Sequence, residues 1–252
     1  MMRGETVYVT MLGTFSLAYG GKQVRESVFR ETRPWQLMKY LMDSRGRAVD
    51  QEELVRVLWQ PENCGQDVCG TIRVRLRRLR ESLEQIGLGD IRTGLVLYAQ
   101  DKFSLNSDYE LDLDTQRFRS LCRREEDAAL PPAQRLEACR GALALCTGPY
   151  LERSKPAVWL ETGRTETAAQ FRRLALTAMN LSRKAWDGTL GPALSAQVLC
   201  MAPEDEELNT KLMSFLVSSG CAAEAVAHYA QLSRMTEARG RQAPPLTAFQ
   251  HI

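Results

Sequence analysis

The sequence has little histidine, no CxxC cysteine pair and no long apolar run, and each shortage removes a class of function. His228 and His251 are its two histidines. They stand 23 positions apart, so no zinc-protease HExxH helix is present; they fit no Ser-His-Asp set, and no P-loop or strand-borne GxGxxG is present. An enzyme is therefore not expected. The seven cysteines, at 64, 69, 122, 139, 146, 200 and 221, are odd in number and scattered. That argues against a disulfide framework or a zinc site and for reduced, mostly buried thiols, so neither metal nor cofactor is expected. No stretch approaches the ~20 apolar residues of a membrane span. The opening MMRGETVYVT also lacks a signal-peptide apolar region, so a cytoplasmic protein with no membrane partner is expected.

What is present is a chain of 252 residues, 44% hydrophobic and 25% charged, enough for one large core or two modest ones. Before residue 106 it carries 16 Lys/Arg against 13 Asp/Glu, and after it 17 against 18. So mild an asymmetry does not announce a nucleic-acid binder; that case rests on where the arginines sit. One stretch, GTIRVRLRRLRESL at 70–83, concentrates them at 73, 75, 77, 78 and 80.

The first half opens with Val7, Val9, Met11, Phe15, Leu17 and Val24 around a YGGK turn, which predicts two or three short strands. From TRPWQLMKYLM the apolar period becomes helical, with Pro34 tolerable in a first turn. The next helix is DQEELVRVLW, where Asp50 and Glu53 have the spacing of a capping box. After the polar loop QPENCGQDVCG comes the arginine stretch. Its middle, IRVRLR, alternates like a strand, but Ile72, Leu76, Leu79 and Leu83 recur at helical spacing and decide for a helix. On that helix Arg73, Arg77 and Arg80 form a stripe beside the core face. Val74 and Arg78 point away from it, and Arg75 takes the other flank. No acid occurs from Gly70 to Arg80, unlike a solvated face that mixes signs. GLVLYAQDKFSLN then reads as a hairpin with a four-residue polar connection and no glycine at its turn.

The segments LGTFSLAYGGKQV, RPWQLMKYLMDSRGRAV, EELVRVLW and GTIRVRLRRLRESL, in this order, resemble the OmpR-type winged helix-turn-helix that heads the SARP family of bacterial transcription activators. The second half shows helical spacing in LDTQRFRSLCRRE, PAQRLEACRGALALC and TETAAQFRRLALTAMNLSRKAW. It also holds a weak repeat in which Gly188 and Ala193 recur as Gly220 and Ala225, a tetratricopeptide-like period. Its GPYL…W…R and PEDEEL…LM segments resemble the bacterial transcriptional activator domain (BTAD). The expected fold is mainly α with a small β component: a winged helix-turn-helix over 1–106 and a TPR-like all-α repeat domain over 107–252.

The resemblance puts the arginine helix in the major groove of double-stranded DNA. Guanidinium groups there can bond guanine edges or phosphates. Arg73 and Arg77 are the candidates for base contacts, with Thr71, Val74, Arg78 and Arg80 sharing contacts and positioning. Arg33, Lys39, Arg45, Arg47, Arg92 and Lys102 are candidates for backbone phosphates, each equally readable as ordinary surface. The loop with Pro61, Glu62, Asn63, Gln66 and Asp67 would, by resemblance, face RNA polymerase, and is otherwise a polar connector. A homodimer on adjacent half-sites is the arrangement the resemblance suggests. In the second half Trp159, Trp186, Phe171, Phe215 and Tyr229 could line a partner groove but fit a core better, and PEDEEL reads as a helix start. The competing expectation is a protein-interaction scaffold whose winged helix reads no DNA.

Overall fold

In the computed structural model of the chain, the described residues are 6–26, 32–44, 46–58, 68–185 and 189–240, with the side chains of 68–72 and 184–185 outside the description. Contacts divide the chain into two units. The first comprises 1–113 and 151–162, and the second 114–150 and 163–252. The polar stretch near 106, where the sequence suggested a divide, is thus followed by one more strand of the first unit.

In that unit β1 (Thr6–Thr10), β2 (Ser16–Tyr19) and β3 (Lys22–Arg25) form an antiparallel meander. Tyr19 pairs with Lys22, so Gly20 and Gly21 are the whole turn, with φ of 56° and 77°. A two-residue turn with positive φ at both positions is why YGGK closes this hairpin. α1 (Arg33–Asp43), β4 (Val49–Asp50), α2 (Gln51–Leu58) and α3 (Val68–Gln85) follow, then a 3-10 turn at Gly89–Ile91. β5 (Val96–Ala99) and β6 (Lys102–Leu105) form the second hairpin, and β4 pairs with β6 to complete a three-stranded sheet. β7 (Glu110–Leu113) returns to lie parallel to β1, giving the order β3-β2-β1-β7 in the other sheet.

α3 ends at a glycine. Gly87 has φ 84°, Leu88 N–H donates to the Leu83 carbonyl at 2.8 Å and Gly87 N–H to Glu84 at 3.0 Å, a Schellman stop. The capping-box reading of Glu53 gives way to a different use. Its carboxylate receives the Tyr40 hydroxyl at 2.7 Å and both Arg47 nitrogens at 2.6 and 2.8 Å. A bidentate guanidinium outcompetes one backbone N–H for those oxygens. The Arg47 bonds hold the Glu53 carboxyl down at about 2, while burial pushes the Tyr40 phenol up to about 12.

Lys39 corrects the sequence reading. Expected near phosphate, it is fully buried in α1, with Nζ at 2.6 Å from Glu26 Oε1, 2.5 Å from Ser154 Oγ and 5.4 Å above the Phe15 ring. Its neighbours Leu37, Met38, Tyr40, Leu41 and Met42 are buried too, so the helix has no wet face there for a cation to occupy. The segment 151–162 completes this core. Leu151 N–H donates to the Met11 carbonyl at 2.8 Å, Glu152 N–H to Gly13 at 3.1 Å, and Trp159 meets Tyr40 edge-on at 5.3 Å.

The second unit is built, among its described residues, from helices: α4 (Asp114–Glu126), α5 (Pro132–Leu145), α6 (Val158–Ala185, whose first residues count with the first unit), α7 (Leu190–Met201), α8 (Glu206–Ser218) and α9 (Ala222–Ala238). α4 packs on α5, and α7, α8 and α9 pack on one another. The small residues of the repeat are not placed alike, and of them Ala225 is buried on α9. Gly191 is the close approach, where a Cβ would sit 2.6 Å from Leu216 Cδ2. Ala193 is exposed, Gly220 is a helix stop at φ 78°, and Gly188 lies outside the described residues. Asp205 caps α8 by accepting from Leu208 N–H at 2.9 Å, as PEDEEL predicted. Phe171 and Phe215 are fully buried core. Tyr229 is half-buried on α9, Trp159 belongs to the first unit, and Trp186 lies outside the described residues.

A polar triad, buried at Asn209 and His228, links three helices of this unit. Asn209 spends its Nδ2 on the carbonyls of Ala202 at 3.1 Å and Asp205 at 2.8 Å, so its Oδ1 accepts from His228 Nε2, 2.8 Å away. His228 Nδ1 then accepts from the Ser195 hydroxyl at 2.8 Å. Burial holds this imidazole down to about 4, so it is neutral at physiological pH.

Candidate nucleic-acid interface

α3 carries the charge that the sequence singled out, and its core face is the expected one. Leu76, Leu79 and Leu83 are buried, while the Ile72 side chain lies outside the described residues. Turning outward from that face, the helix exposes Arg73, Val74, Arg77 and Arg78, with Val74 41% exposed. The arginines nevertheless differ in how they are held.

Arg73 lies over the ring of Tyr98 in β5, its guanidinium carbon 5.6 Å from the ring centroid. Tyr98 is itself fixed, its ring tilted against Phe103 at 4.6 Å and its hydroxyl 2.8 Å from Asp101 Oδ1 and 3.0 Å from Gln51 Oε1. A cation over a braced aromatic face is oriented more narrowly than one on a flexible stem. Arg80, seven residues on and so on the same flank, reaches the Val96 carbonyl at 3.4 Å. Arg77 is open, its side chain 73% exposed and paired loosely at 3.4 Å with Glu81 one turn later. Arg75 points to the opposite flank, where burial and the neighbouring charges of Arg78 and Arg33 lower its pKa. The Thr71 side chain lies outside the described residues.

The hairpin beside α3 has a tighter connection than the four polar residues suggested. Ala99 pairs with Lys102, leaving only Gln100 and Asp101 in the turn, at φ 51° and 57°. Such a turn prefers Asn or Gly, and Asp101 tolerates it by accepting from the Tyr98 hydroxyl three residues back.

Among the backbone candidates, Arg33 donates to the Leu58 carbonyl at the end of α2, Arg47 is clamped by Glu53, Arg92 pairs with Glu84, and Lys102 lies 3.4 Å from Asp50. Arg45 and the loop residues Pro61, Glu62, Asn63, Gln66 and Asp67 lie outside the described residues, as do Cys64 and the side chain of Cys69. Sequence reading missed Tyr98, Gln51 and Asp101 as supports of Arg73. The signal was present only as an aromatic on a strand of the hairpin, since which arginine meets it depends on strand register. Among the described residues no group of His, Cys, Asp and Glu could hold a metal ion, and no helix is long and apolar enough to cross a membrane.

Residues 113–250 match the family model described as bacterial transcriptional activator domain, and residues 25–93 match that of transcriptional regulatory protein, C terminal. No curated protein matches the chain in sequence. Among solved structures it resembles Mycobacterium tuberculosis EmbR in complex with a low affinity phosphopeptide, with a TM-score of 0.63 at 17% identity. The likeness covers 98% of this chain but 65% of that one, and at this identity it bears on the fold.

Proposed function

The chain belongs to the family of the bacterial transcriptional activator domain, and from that premise we propose that it reads double-stranded DNA sequence-specifically and acts as an activator that positions RNA polymerase at a promoter. The observation that carries this reading is the outward face of α3. Arg73, Val74, Arg77 and Arg78 stand exposed above a buried leucine seam, in a helix whose first half carries no acid. A major groove admits such a helix, and phosphate contacts would position it while base edges are read. Arg73, oriented by Tyr98, and the open Arg77 take the base contacts. Arg78, Thr71 and Arg80 share positioning, and Arg47, Arg92 and Lys102 exchange their carboxylate partners for phosphates at the rim. The loop with Glu62 and Asp67 serves as the polymerase-facing surface, and two copies occupy adjacent half-sites.

The test is binding to duplexes selected from a random pool, repeated as salt is raised. A reader loses affinity with a log-log slope of about −0.9 per phosphate neutralised and keeps its preference for selected over scrambled sites. Salt-insensitive binding, or none, would overturn the proposal and favour a scaffold role for the helical unit.

A further inference from the structure

The first unit has a second cationic feature on the flank of α3 away from Tyr98. It is a groove of about 1400 Å³ bordered by the start of α1, the end of α2, α3 and the segment 154–161. Five cations line it: Arg33, Arg56, Arg75, Arg78 and Lys155. Two carboxylates, Glu81 and Glu161, share the lining, and Glu81 is already turned to Arg77 outside it. The rest of the wall is apolar, with Pro34, Val57, Leu58, Pro156 and Trp159.

Two of these lining residues have buried nitrogens with no protein acceptor, Nε of Arg75 and Nε1 of Trp159. Both groups only donate, so each asks for an oxygen from elsewhere. Burial disfavours the charge on Arg75, and Arg78 and Arg33 disfavour it further, an arrangement that gains from an anion among the three guanidiniums. Such clusters suit a dianionic phosphate better than a single carboxylate, because guanidinium forks pair with several oxygens at once. The Trp159 indole and the prolines offer a flat apolar surface for a ring.

We propose that this groove binds a small organic phosphate, its phosphate held by Arg75 and its neighbours Arg33 and Arg78 and its ring set against Trp159. The site shares Arg78 with the outward face of α3, but Arg33, Arg75 and Trp159 lie off that face, so it does not depend on that face reading DNA. It would give the protein a small-molecule input next to its proposed DNA-reading helix.

The full chain is titrated by calorimetry with phenyl phosphate, inorganic phosphate and phenol as probes. Phenyl phosphate is expected to bind with roughly millimolar or better affinity and to outcompete the other two. Arg75→Gln should weaken it about tenfold or more, and Trp159→Phe, which keeps the ring and removes the N–H, should weaken it less. Arg78→Gln, at an exposed position, reads the same loss should the Arg75 variant fail to fold. Arg25→Ala, which removes an exposed cation that does not line the groove, should leave phenyl phosphate binding unchanged. Absence of binding to the wild type, binding indifferent to Arg75 and Arg78, or equal affinity for phenol would overturn the proposal. So would a loss of duplex binding in Arg75→Gln as large as that in Arg77→Ala, which would assign the groove to the DNA backbone. Failure of DNA binding with phenyl phosphate binding intact would sink only the DNA-reading proposal.

Discussion

Replacing Arg77 with alanine separates reading from folding better than any other change on α3. The side chain is 73% exposed, and its one close partner is Glu81 at 3.4 Å, itself 55% exposed. An exposed pair four residues apart on a helix contributes about 0.3–0.5 kcal/mol, and alanine's higher helix propensity returns a few tenths. The folded state should therefore be nearly indifferent, with Tm moving by no more than about 2 °C. Binding should not be. A bidentate guanidinium on guanine carries about 1–3 kcal/mol of discrimination, so preference for the selected duplex should fall by roughly 5- to 150-fold. Fluorescence anisotropy on selected and scrambled duplexes between about 50 and 200 mM salt reads the role directly. A base contact lowers preference and leaves the salt slope alone, whereas a phosphate contact lowers affinity for both duplexes and flattens the slope by about 0.9. Glu81→Gln should act in the opposite sense, freeing Arg77 and removing a carboxylate beside the DNA, and so raise affinity. If Arg77→Ala keeps affinity and preference within about twofold of the wild type, or if Tm drops by about 5 °C, the reasoning fails.

Three further outcomes follow from the contacts. Tyr98→Leu should relax preference at one base position by removing the ring under Arg73, a contact worth about 0.5–1 kcal/mol, whereas Tyr98→Phe should retain it; equal effects in binding selections would discount the ring. Lys39→Met should cost about 3–5 kcal/mol in urea unfolding, since Glu26 is left charged and buried, and adding Glu26→Gln should recover much of it; a neutral single variant would contradict the buried pair. His228, held down to about 4 from 6.5, should lend stability that is present above pH 6.5 and lost as pH falls towards 4, about 3 kcal/mol in all. Urea midpoints across that window should slope less in His228→Gln than in the wild type, and parallel slopes would refute the assignment.

The helix of α3 was legible because Leu76, Leu79 and Leu83 declare a period that no strand shares, and Gly87 marks its end. Its flanks were legible only by angle, and the angles correctly set Arg73 and Arg80 apart from Arg75. What angle does not give is the partner. Tyr98 meets Arg73 because Ala99 pairs with Lys102 across a two-residue turn, and one residue of slip would have turned Tyr98 to the other face. Lys39 was misread because a lysine among apolar residues is usually a surface residue. Its burial depends on Glu26 and Ser154, separated from it by 13 and 115 positions. Non-local pairings of that kind leave no periodic trace, and the return of 151–162 to the first unit and the parallel seat of β7 on β1 belong to the same class.

That return also has a consequence for the order of synthesis. Met11 and Gly13 emerge from the ribosome early, yet their carbonyls wait for the N–H groups of Leu151 and Glu152, and Lys39 waits for Ser154. The N-terminal unit is therefore not complete when its last strand has been made. Residues 114–150, which belong to the other unit, must be translated first. At about 5–20 residues per second the nascent winged helix spends several seconds with a buried-lysine core short of one partner. A fragment cut at Leu113 would be held permanently at that stage.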